Sequence, residues 1–184
     1  LPCLRESRQW QTTVPSRAIS DVYQEMNKKD LLREPWRLLN DSVAYMYIGT
    51  FQAKDAPQVY EKIKDTKALI VDMRGYPSDH SIISEFFQPY FVPVPVPYVK
   101  MLVPLWNFPG LFYRSPISPL GKLEQEDVND PNSWRLVENP NAYKGKLVIL
   151  VDESTISASE HYTMILQAIP NSVTVGSQTA GADG

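Results

Sequence analysis

The chain has 184 residues, 43% of them hydrophobic, which is enough for one domain with a substantial core. No apolar run approaches the ~18–20 residues of a membrane span, and a net charge of −3 without a basic stripe argues against nucleic acid as the main partner. Cys3 is the single cysteine, which excludes an internal disulfide framework and a cysteine-based metal site. No His/Asp/Glu spacing indicates a metal and no glycine-rich loop indicates a phosphate-bearing cofactor, so we expect neither.

The ends of the chain indicate a piece of a longer protein. It begins with Leu1 rather than Met, and residues 180–184 form neither a helix end nor a strand end. The first ten residues mix charged and polar side chains, which is not the pattern of a signal peptide. A narrow apolar face over residues 17–29 is compatible with a helix or with a linker. We therefore expect residues 1–40 to be a linker or the tail of a preceding domain, and residues 41–184 to form the main domain.

Short apolar stretches alternate with amphipathic ones over the next part of the chain. Residues 43–48 are β-branched and aromatic and predict a strand, and Asp55 can cap a helix that has Pro57 in its first turn. Residues 68–71 repeat the pattern of a buried strand, and a second amphipathic helix follows. The apolar face of that helix consists of Ile82, Ile83, Phe86, Phe87 and Tyr90. This alternation predicts right-handed βαβ units and a largely parallel sheet.

Residues 91–119 break the alternation, because seven prolines forbid a helix and interrupt any central strand. Aromatic side chains lie between the prolines: Tyr98, Trp106, Phe108, Phe112 and Tyr113. One interpretation is an irregular edge hairpin packed on the core, and the other is an apolar flap that walls a substrate subsite. Residues 124–140 are acidic and rich in Asn and Pro, which indicates a surface excursion.

Residues 146–161 hold the most informative pattern. An apolar, β-branched run at 147–151 is too short for a buried helix and predicts a buried strand. After the polar residues 152–155, apolar side chains recur at steps of three and four, which predicts an amphipathic helix with Ser157 at its start. These apolar residues are Ala158, Tyr162, Ile165, Leu166 and Ile169. A last strand is predicted over 173–176.

Two unusual loops, 72–79 and 152–157, follow the buried strands. Ligand sites in parallel sheets lie outside the carboxyl ends of the strands, which is where both loops are expected. At a helix start, free backbone N–H groups and the helix dipole point toward the oxygen of Ser157. Ser157 and Glu160 also have the spacing of a capping box. A nucleophile and a helix cap are both compatible with Ser157, and the paired loops favour the nucleophile.

Four segments resemble, in the correct order, parts of the C-terminal-processing (tail-specific) serine protease family. Residues 155–160, Thr-Ile-Ser-Ala-Ser-Glu, resemble its nucleophile segment, and residues 43–51 are similar to its strand after the PDZ domain. Residues 67–79 resemble its motif of an apolar strand, Asp-Leu-Arg and a Gly-rich loop. Residues 178–184 occupy the position of its Thr-Phe-Gly-Lys-Gly segment. The resemblance spans roughly residues 43–184.

The resemblance implies an α/β fold with a ClpP/crotonase-like core, in which the Pro- and aromatic-rich stretch is a β insertion. It implies peptide-bond hydrolysis through an acyl-enzyme on Ser157, with Glu160 helping to orient the catalytic group. The backbone N–H groups of Ala158 and of the Gly75 loop would form the oxyanion hole, where one donor is typically worth ~3 kcal/mol. The side chains expected to line the substrate groove are Tyr76, Tyr98, Trp106 and Phe108.

Partners and location follow from the same resemblance. The implied substrate is a peptide or an unfolded protein segment, without a nucleic-acid partner or a membrane span in this chain. The implied location is exported, in the periplasm or cell envelope, and a PDZ-like domain is expected before the core. The oligomeric state is not predicted.

The sequence departs from the family at the general base. The bacterial tail-specific branch has a Lys twenty-five residues after the nucleophile, where this chain has Ala182. The tricorn-core branch instead uses a His from before the PDZ-like region and a Glu farther downstream, so we expect the base to come from outside this fragment. Because a general base typically raises the reaction rate by ~10²–10⁴-fold, the fragment alone should be nearly inactive. The Gly75 loop also lacks the usual pair of glycines, so Gly75 as an oxyanion donor and Gly75 as a tight-turn residue both stay open.

Other interpretations use the same residues. In a catalytically inactive, peptide-binding member of the fold, Ser157 would only cap its helix. A crotonase-like acyl-CoA enzyme would share the oxyanion hole, but the Ser-x-x-Glu turn argues against it. His80 follows the Gly75 loop and is either a surrogate base or a solvated residue at a helix start, and His161 is expected at the boundary of the apolar helix face.

Overall fold

The structure, a computed structural model, describes residues 2–5, 8–11, 15–18, 20–21, 33–99, 102–114, 118–130 and 133–183. The chain divides into two compact units, Leu1–Leu32 and Arg33–Gly184. In the first unit, strands β1 (Pro2–Arg5) and β2 (Arg8–Gln11) form an antiparallel pair. The helix considered for residues 17–29 falls mostly outside the described residues, and the domain assignment of residues 1–40 stays a prediction.

A five-stranded sheet forms the centre of the second unit. Its strands are β3 (Trp36–Asn40), β4 (Val43–Tyr47), β5 (Ala68–Asp72), β12 (Lys146–Val151) and β13 (Ser172–Gly176). Six shorter strands come between β5 and β12 along the described part of the chain. Their order across the sheet is β13-β12-β5-β4-β3. All neighbours pair in parallel except β3, which pairs antiparallel with β4. The predicted α/β class with a largely parallel sheet is confirmed, and β3 is an edge strand that the sequence did not predict.

The central strands are more deeply buried on one face than on the other. In β12, Leu147, Ile149 and Val151 are buried, whereas Val148 and Leu150 are half-buried. Strand β5 alternates in the same way along its first residues. Successive side chains point to opposite faces of a strand, so the buried strand predicted at 147–151 is present, fully buried on one face and half-buried on the other.

Three helical segments pack with the sheet. Helix α1 (Ala56–Ile63) follows a 3₁₀ turn (Ala53–Asp55), and Asp55 takes the predicted N-cap position without a side-chain cap hydrogen bond. The second predicted helix begins as a π-helical turn (Ile83–Phe87) and continues as α2 (Gln88–Phe91). Helix α3 (Ala158–Gln167) begins directly after Ser157, as predicted. One apolar cluster contains buried side chains of all these elements, among them Val59, Ile63, Leu69, Val71, Phe86, Phe87, Ile149, Ile165 and Leu166.

The insertion between β5 and β12 consists of antiparallel strand pairs. Strand β6 (Val96–Val99) pairs with β9 (Ser118–Leu120), β7 (Leu102–Pro104) with β8 (Phe112–Arg114), and β10 (Lys122–Gln125) with β11 (Trp134–Val137). Prolines fit here because a strand at the edge of a sheet does not need every N–H. The predicted β insertion is present. The excursion at residues 124–140 includes most of a β10–β11 hairpin, which its polar composition did not indicate.

Candidate active site

Three parallel strands end side by side at one edge of the sheet. Asp72, the last residue of β5, lies opposite Tyr47 of β4 and Leu150 of β12 in the strand register. The Met73 N–H still donates to the Leu150 carbonyl oxygen at 2.9 Å, so the loops that follow β5 and β12 leave the sheet together. The predicted meeting of these two loops at the carboxyl edge is confirmed.

Two buried hydroxyl groups tie the loops to each other. Thr155 Oγ1 donates to the Met73 carbonyl oxygen at 3.2 Å, and Ser159 Oγ donates to the Gly75 carbonyl oxygen at 2.6 Å. Leaving a buried polar group without its partner costs about 1–3 kcal/mol. Ser157 lies between these two anchors in sequence, so its position relative to the loop after β5 is fixed on both sides.

Ser157 has a backbone conformation that is rare for a residue other than glycine. Its φ is 53° and its ψ is −120°, and α3 begins at the next residue. An ordinary N-cap residue is extended, so capping does not require this conformation. Such a conformation costs on the order of 1–3 kcal/mol and clusters at functional sites. A serine on a strained turn from strand to helix is the geometry that exposes a nucleophilic oxygen.

The predicted capping box is also present. Glu160 Oε2 accepts from the Ser157 N–H at 2.9 Å, which is the contact by which the glutamate of a capping box reaches back to the N-cap amide. Ala158 N–H is the first amide of α3, and an α-helix leaves its first amides without intrahelical acceptors. The contacts of Ser157 thus fit a cap or a nucleophile, and its backbone conformation favours the nucleophile.

The Glu160 carboxylate brings residues 179–183 next to Ser157. Oε1 accepts from the Gly181 N–H at 2.6 Å, and Oε2 accepts from the Ala182 N–H at 2.9 Å. Ser157 and Ala182 therefore donate to the same oxygen atom. Position 182, where the bacterial tail-specific branch has a Lys, thus lies next to the Ser157 turn.

These donors keep Glu160 ionised. The hydrogen bond from the Thr179 side chain, followed by those from the backbone N–H groups of Ser157, Gly181 and Ala182, lowers the pKa of Glu160 to about 2, although desolvation opposes the shift. A carboxylate whose oxygens accept from so many donors acts as an anchor for the chain rather than as a proton acceptor.

Gly75 lies where the structure leaves no room for a side chain. A Cβ atom there would be 2.1 Å from Tyr47 Oη and 2.6 Å from Tyr47 Cζ. Gly75 is not among the glycines with positive φ, so close approach to a buried ring, rather than a tight turn, explains the glycine. Its carbonyl oxygen already accepts from Ser159, and the role of its loop in an oxyanion hole stays a prediction.

An ionic cluster around the buried carboxylate of Asp72 supports the same loop, and its members were not predicted as functional residues. Arg74 binds the Asp72 carboxylate with Nε and a terminal nitrogen, both at 2.8 Å, and the Tyr45 hydroxyl donates to it at 2.6 Å. Burial alone would raise the pKa of Asp72, but the hydrogen bonds from Arg74 and Tyr45 lower it. Burial and the Asp72 carboxylate raise the pKa of Tyr45 to about 12. The Asp-x-Arg spacing at the end of a buried strand was the available signal.

A row of five rings runs along the first turns of α3. Tyr76, His80, Tyr162, His161 and Tyr98 follow one another with ring centroids 6.1–6.4 Å apart. The Tyr162 hydroxyl lies 3.2 Å from His80 Nδ1 and donates to the His80 carbonyl oxygen at 3.0 Å. His80 is therefore paired with Tyr162 rather than with Ser157. His161 is half-buried at the predicted boundary, and its N–H donates to the Ser157 carbonyl oxygen at 3.0 Å.

The four predicted groove residues divide into two pairs. Tyr76 and Tyr98 stand at the two ends of the ring row beside α3. Trp106 and Phe108 lie in the β7–β8 hairpin, 92% and 61% exposed, and no hydrogen bond or ring contact joins them to the Ser157 turn in the described part of the chain. The place of Trp106 and Phe108 in a substrate groove stays a prediction.

The described residues were also compared with the requirements of metal sites, small-molecule sites and membrane-spanning helices. Among the described residues, no three His, Cys, Asp or Glu side chains are grouped to hold a metal ion. A cleft of about 160 Å³ lies between α3 and residues 179–183, beside Glu160, below the ~300 Å³ at which small-molecule sites usually begin. Within the ranges that the structure describes, no helix is long and apolar enough to cross a membrane.

Part of the chain matches a known protein family. Residues 114–184 match the model of peptidase family S41, and these residues include Ser157 and Glu160. The resemblance to the C-terminal-processing serine proteases is thereby confirmed over residues 114–184, while the similar segments at 43–51 and 67–79 lie outside the match. No curated protein matches the sequence.

Two solved structures are similar to this chain at low sequence identity. A candidate peptidase from Parabacteroides merdae is 14% identical, with a TM-score of 0.54 over 80% of this chain and 44% of its own. A lipoprotein from Streptococcus agalactiae is 17% identical, with a TM-score of 0.46 over 86% of this chain and 55% of its own. The chain thus spans about half the length of these proteins. The first similarity supports the fold alone.

Proposed function

We propose, from the match of residues 114–184 to peptidase family S41, that this chain is the catalytic core of a serine peptidase with a ClpP/crotonase-like fold. Ser157 Oγ would attack the scissile carbonyl carbon, give up its proton to a base, and form an acyl-enzyme as the amine leaves. Water would then release the acid product. The observation that carries the proposal is the conformation of Ser157, φ 53° on the turn between β12 and α3.

The oxyanion would form beside the start of α3. Ala158 N–H, the first amide of the helix, is one proposed donor, and an amide of the Gly75 loop is the other. The Ser159–Gly75 hydrogen bond of 2.6 Å supports this pairing because it fixes the loop against the helix start. Removing one donor of such a pair typically costs ~3 kcal/mol of transition-state stabilisation.

We propose that the base comes from outside this chain, as a His and a Glu of the tricorn-like kind. In the described part of the chain, no His, Lys or carboxylate side chain hydrogen-bonds to Ser157 Oγ: Glu160 bonds to backbone N–H groups and His80 bonds to Tyr162. The isolated chain should therefore react ~10²–10⁴-fold more slowly than the protein with its base.

The proposed substrate is a peptide or an unfolded protein segment. The ring row from Tyr76 to Tyr98 supports this, because it flanks the Ser157 turn with aromatic surface that apolar substrate side chains can cover. A preceding PDZ-like domain and an exported location in the periplasm or cell envelope belong to the same proposal.

A fluorophosphonate probe tests the nucleophile in the protein with its native flanking sequence. Wild type should be labelled and Ser157→Ala should not. Ser154→Ala is the matched control, since Ser154 lies on the same turn with an exposed hydroxyl that bonds to Asp152 and to the Arg74 carbonyl oxygen. Its labelling should match wild type. Labelling absent from all three proteins would overturn the peptidase proposal.

Position 182 gives a second test, on this chain alone. Ala182→Lys places an amine on the residue whose N–H shares a glutamate oxygen with the Ser157 N–H. Labelling should rise by roughly 10²-fold or more, and the rise should vanish in Ser157→Ala/Ala182→Lys. No rise would indicate that the site lacks more than its base.

The rival function is a catalytically inactive, peptide-binding member of the fold. The capping box favours it, because that contact gives Ser157 and Glu160 a structural reason to be present. In this case peptides would bind with equal affinity to wild type and Ser157→Ala, and neither protein would be labelled.

A further inference from the structure

The β7–β8 hairpin exposes an unusual number of large apolar side chains. Eight of them are at least 41% exposed: Leu102, Val103, Leu105, Trp106, Phe108, Leu111, Phe112 and Tyr113. Trp106 near the tip is 92% exposed. A large contiguous apolar surface on a soluble protein marks a contact with another molecule or with a membrane. These side chains all belong to one two-stranded hairpin, in which β7 pairs only with β8 among the described residues.

The charge pattern indicates which kind of partner fits the hairpin. Residues 101–113 contain no charged side chain, and Lys100 and Arg114 bracket them in the sequence. Arg114 is exposed and forms no ion pair with another described residue. An apolar hairpin with an exposed arginine at the end of β8 is complementary to an anionic membrane, where acyl chains lie below a layer of phosphates that attract Lys and Arg.

Several backbone N–H groups at the tip of the hairpin are satisfied within the hairpin. Leu105 N–H donates to the Leu111 carbonyl oxygen at 3.0 Å. Phe108 N–H donates to the Leu105 carbonyl oxygen, and Leu111 N–H donates to the Phe108 carbonyl oxygen, both also at 3.0 Å. Pro104 and Pro109 have no N–H to satisfy. An unsatisfied backbone group costs several kcal/mol in hydrocarbon, so these internal bonds remove much of the penalty for burying the tip in lipid.

We propose that the β7–β8 hairpin inserts its tip into the interface of an anionic lipid membrane. Trp106 and Phe108 enter the boundary between headgroups and acyl chains, about 5–10 Å deep, and the indole ring takes the position that tryptophan prefers at membrane interfaces. Arg114 stays at the phosphate level. The surface rests on the lipid bilayer without spanning it, and the proposal does not depend on chemistry at Ser157.

Vesicle flotation tests the proposal with the whole protein. Wild type should float with vesicles of phosphatidylcholine and phosphatidylglycerol at 7:3, and Trp106→Ser/Phe108→Ser should lower the bound fraction by at least tenfold. Val128→Ser is the matched control, because Val128 is an equally exposed apolar residue, 85%, in the acidic β10–β11 hairpin. This control should bind like wild type. Arg114→Glu should weaken binding about fivefold or more on anionic vesicles and much less on pure phosphatidylcholine.

Depth and competing partners are measured in parallel. Brominated acyl chains should quench the fluorescence of wild type more than that of Trp106→Phe. Absence of flotation overturns the proposal. So does flotation that is unchanged in the double variant. A dimer that the double variant dissociates, without vesicle binding, would assign the hairpin to a second copy of the chain. A loss of peptide cleavage without vesicle binding would assign it to the substrate groove.

Discussion

Strain at Ser157 can be measured by comparing two substitutions that both remove its hydroxyl. Ser157→Ala keeps a Cβ at φ 53°, whereas Ser157→Gly does not. Holding a non-glycine residue in such a region costs on the order of 1–3 kcal/mol, and glycine loses roughly 0.5–1 kcal/mol through its freer unfolded state. We expect Ser157→Gly to be more stable than Ser157→Ala by about 1–2 kcal/mol.

Urea unfolding followed by circular dichroism gives both free energies, and the melting temperatures should differ by about 2–8 °C. The matched site is Asp55, the N-cap of α1, where φ is −87°. With ψ at −6°, Asp55 has ordinary αR backbone angles, where glycine only loses the roughly 0.5–1 kcal/mol of its freer unfolded state, so the pair Asp55→Gly and Asp55→Ala measures the difference between the two residues without strain. The strain at Ser157 is the excess of the Gly-minus-Ala difference in the free energy of unfolding at position 157 over the same difference at position 55.

An excess near zero would refute the reasoning. It would mean that the turn relaxes around alanine, and that Ser157 takes its conformation without cost. The proposal of a nucleophile would then lose the observation that separates it from a helix cap.

Two further predictions concern the supports of the site. The pKa of Glu160 is lowered to about 2 from 4.5, so its ionised form contributes stability that is complete above about pH 4.5 and is lost as pH falls toward 2. Glu160→Gln should flatten the pH dependence of unfolding in that window and speed hydrogen exchange of the Gly181 and Ala182 amides on the order of tenfold. Gly75→Ala should destabilise the protein by about 1–3 kcal/mol through contact with Tyr47, and Tyr47→Leu in the same chain should recover part of the loss.

Local patterns in the sequence were sufficient for the main elements of the sheet. Runs of β-branched residues in the sequence predicted strands β4, β5 and β12. Apolar residues that recur at steps of three and four predicted helix α3. Strand β3 was not visible, because Trp36–Asn40 is mostly exposed at the sheet edge and has no buried face to produce a pattern. The π-helical turn was missed because the period of the apolar residues does not separate it from an α-helix.

The site was predictable where its residues are neighbours in sequence. Ser157 and Glu160 stand three residues apart, and their spacing alone indicated a contact that the structure contains. The ring of Tyr47 against Gly75 and the hydroxyl of Tyr45 on Asp72 join residues 27 or more apart. Only the register of parallel strands β4 and β5 creates such contacts, and no single segment encodes that register.

The position of Ala182 decides how the missing lysine should be interpreted. Because Ser157 and Ala182 bind one glutamate oxygen through their backbone N–H groups, the segment stays in place whatever side chain occupies position 182. An alanine at position 182 is therefore compatible with the observed turn at Ser157 and with the start of α3. A protein that only binds peptides gains nothing from a strained serine, since an extended N-cap serves a helix equally well. The proposed peptidase, with its base on another segment, accounts for this conformation of Ser157 beside an intact helix start.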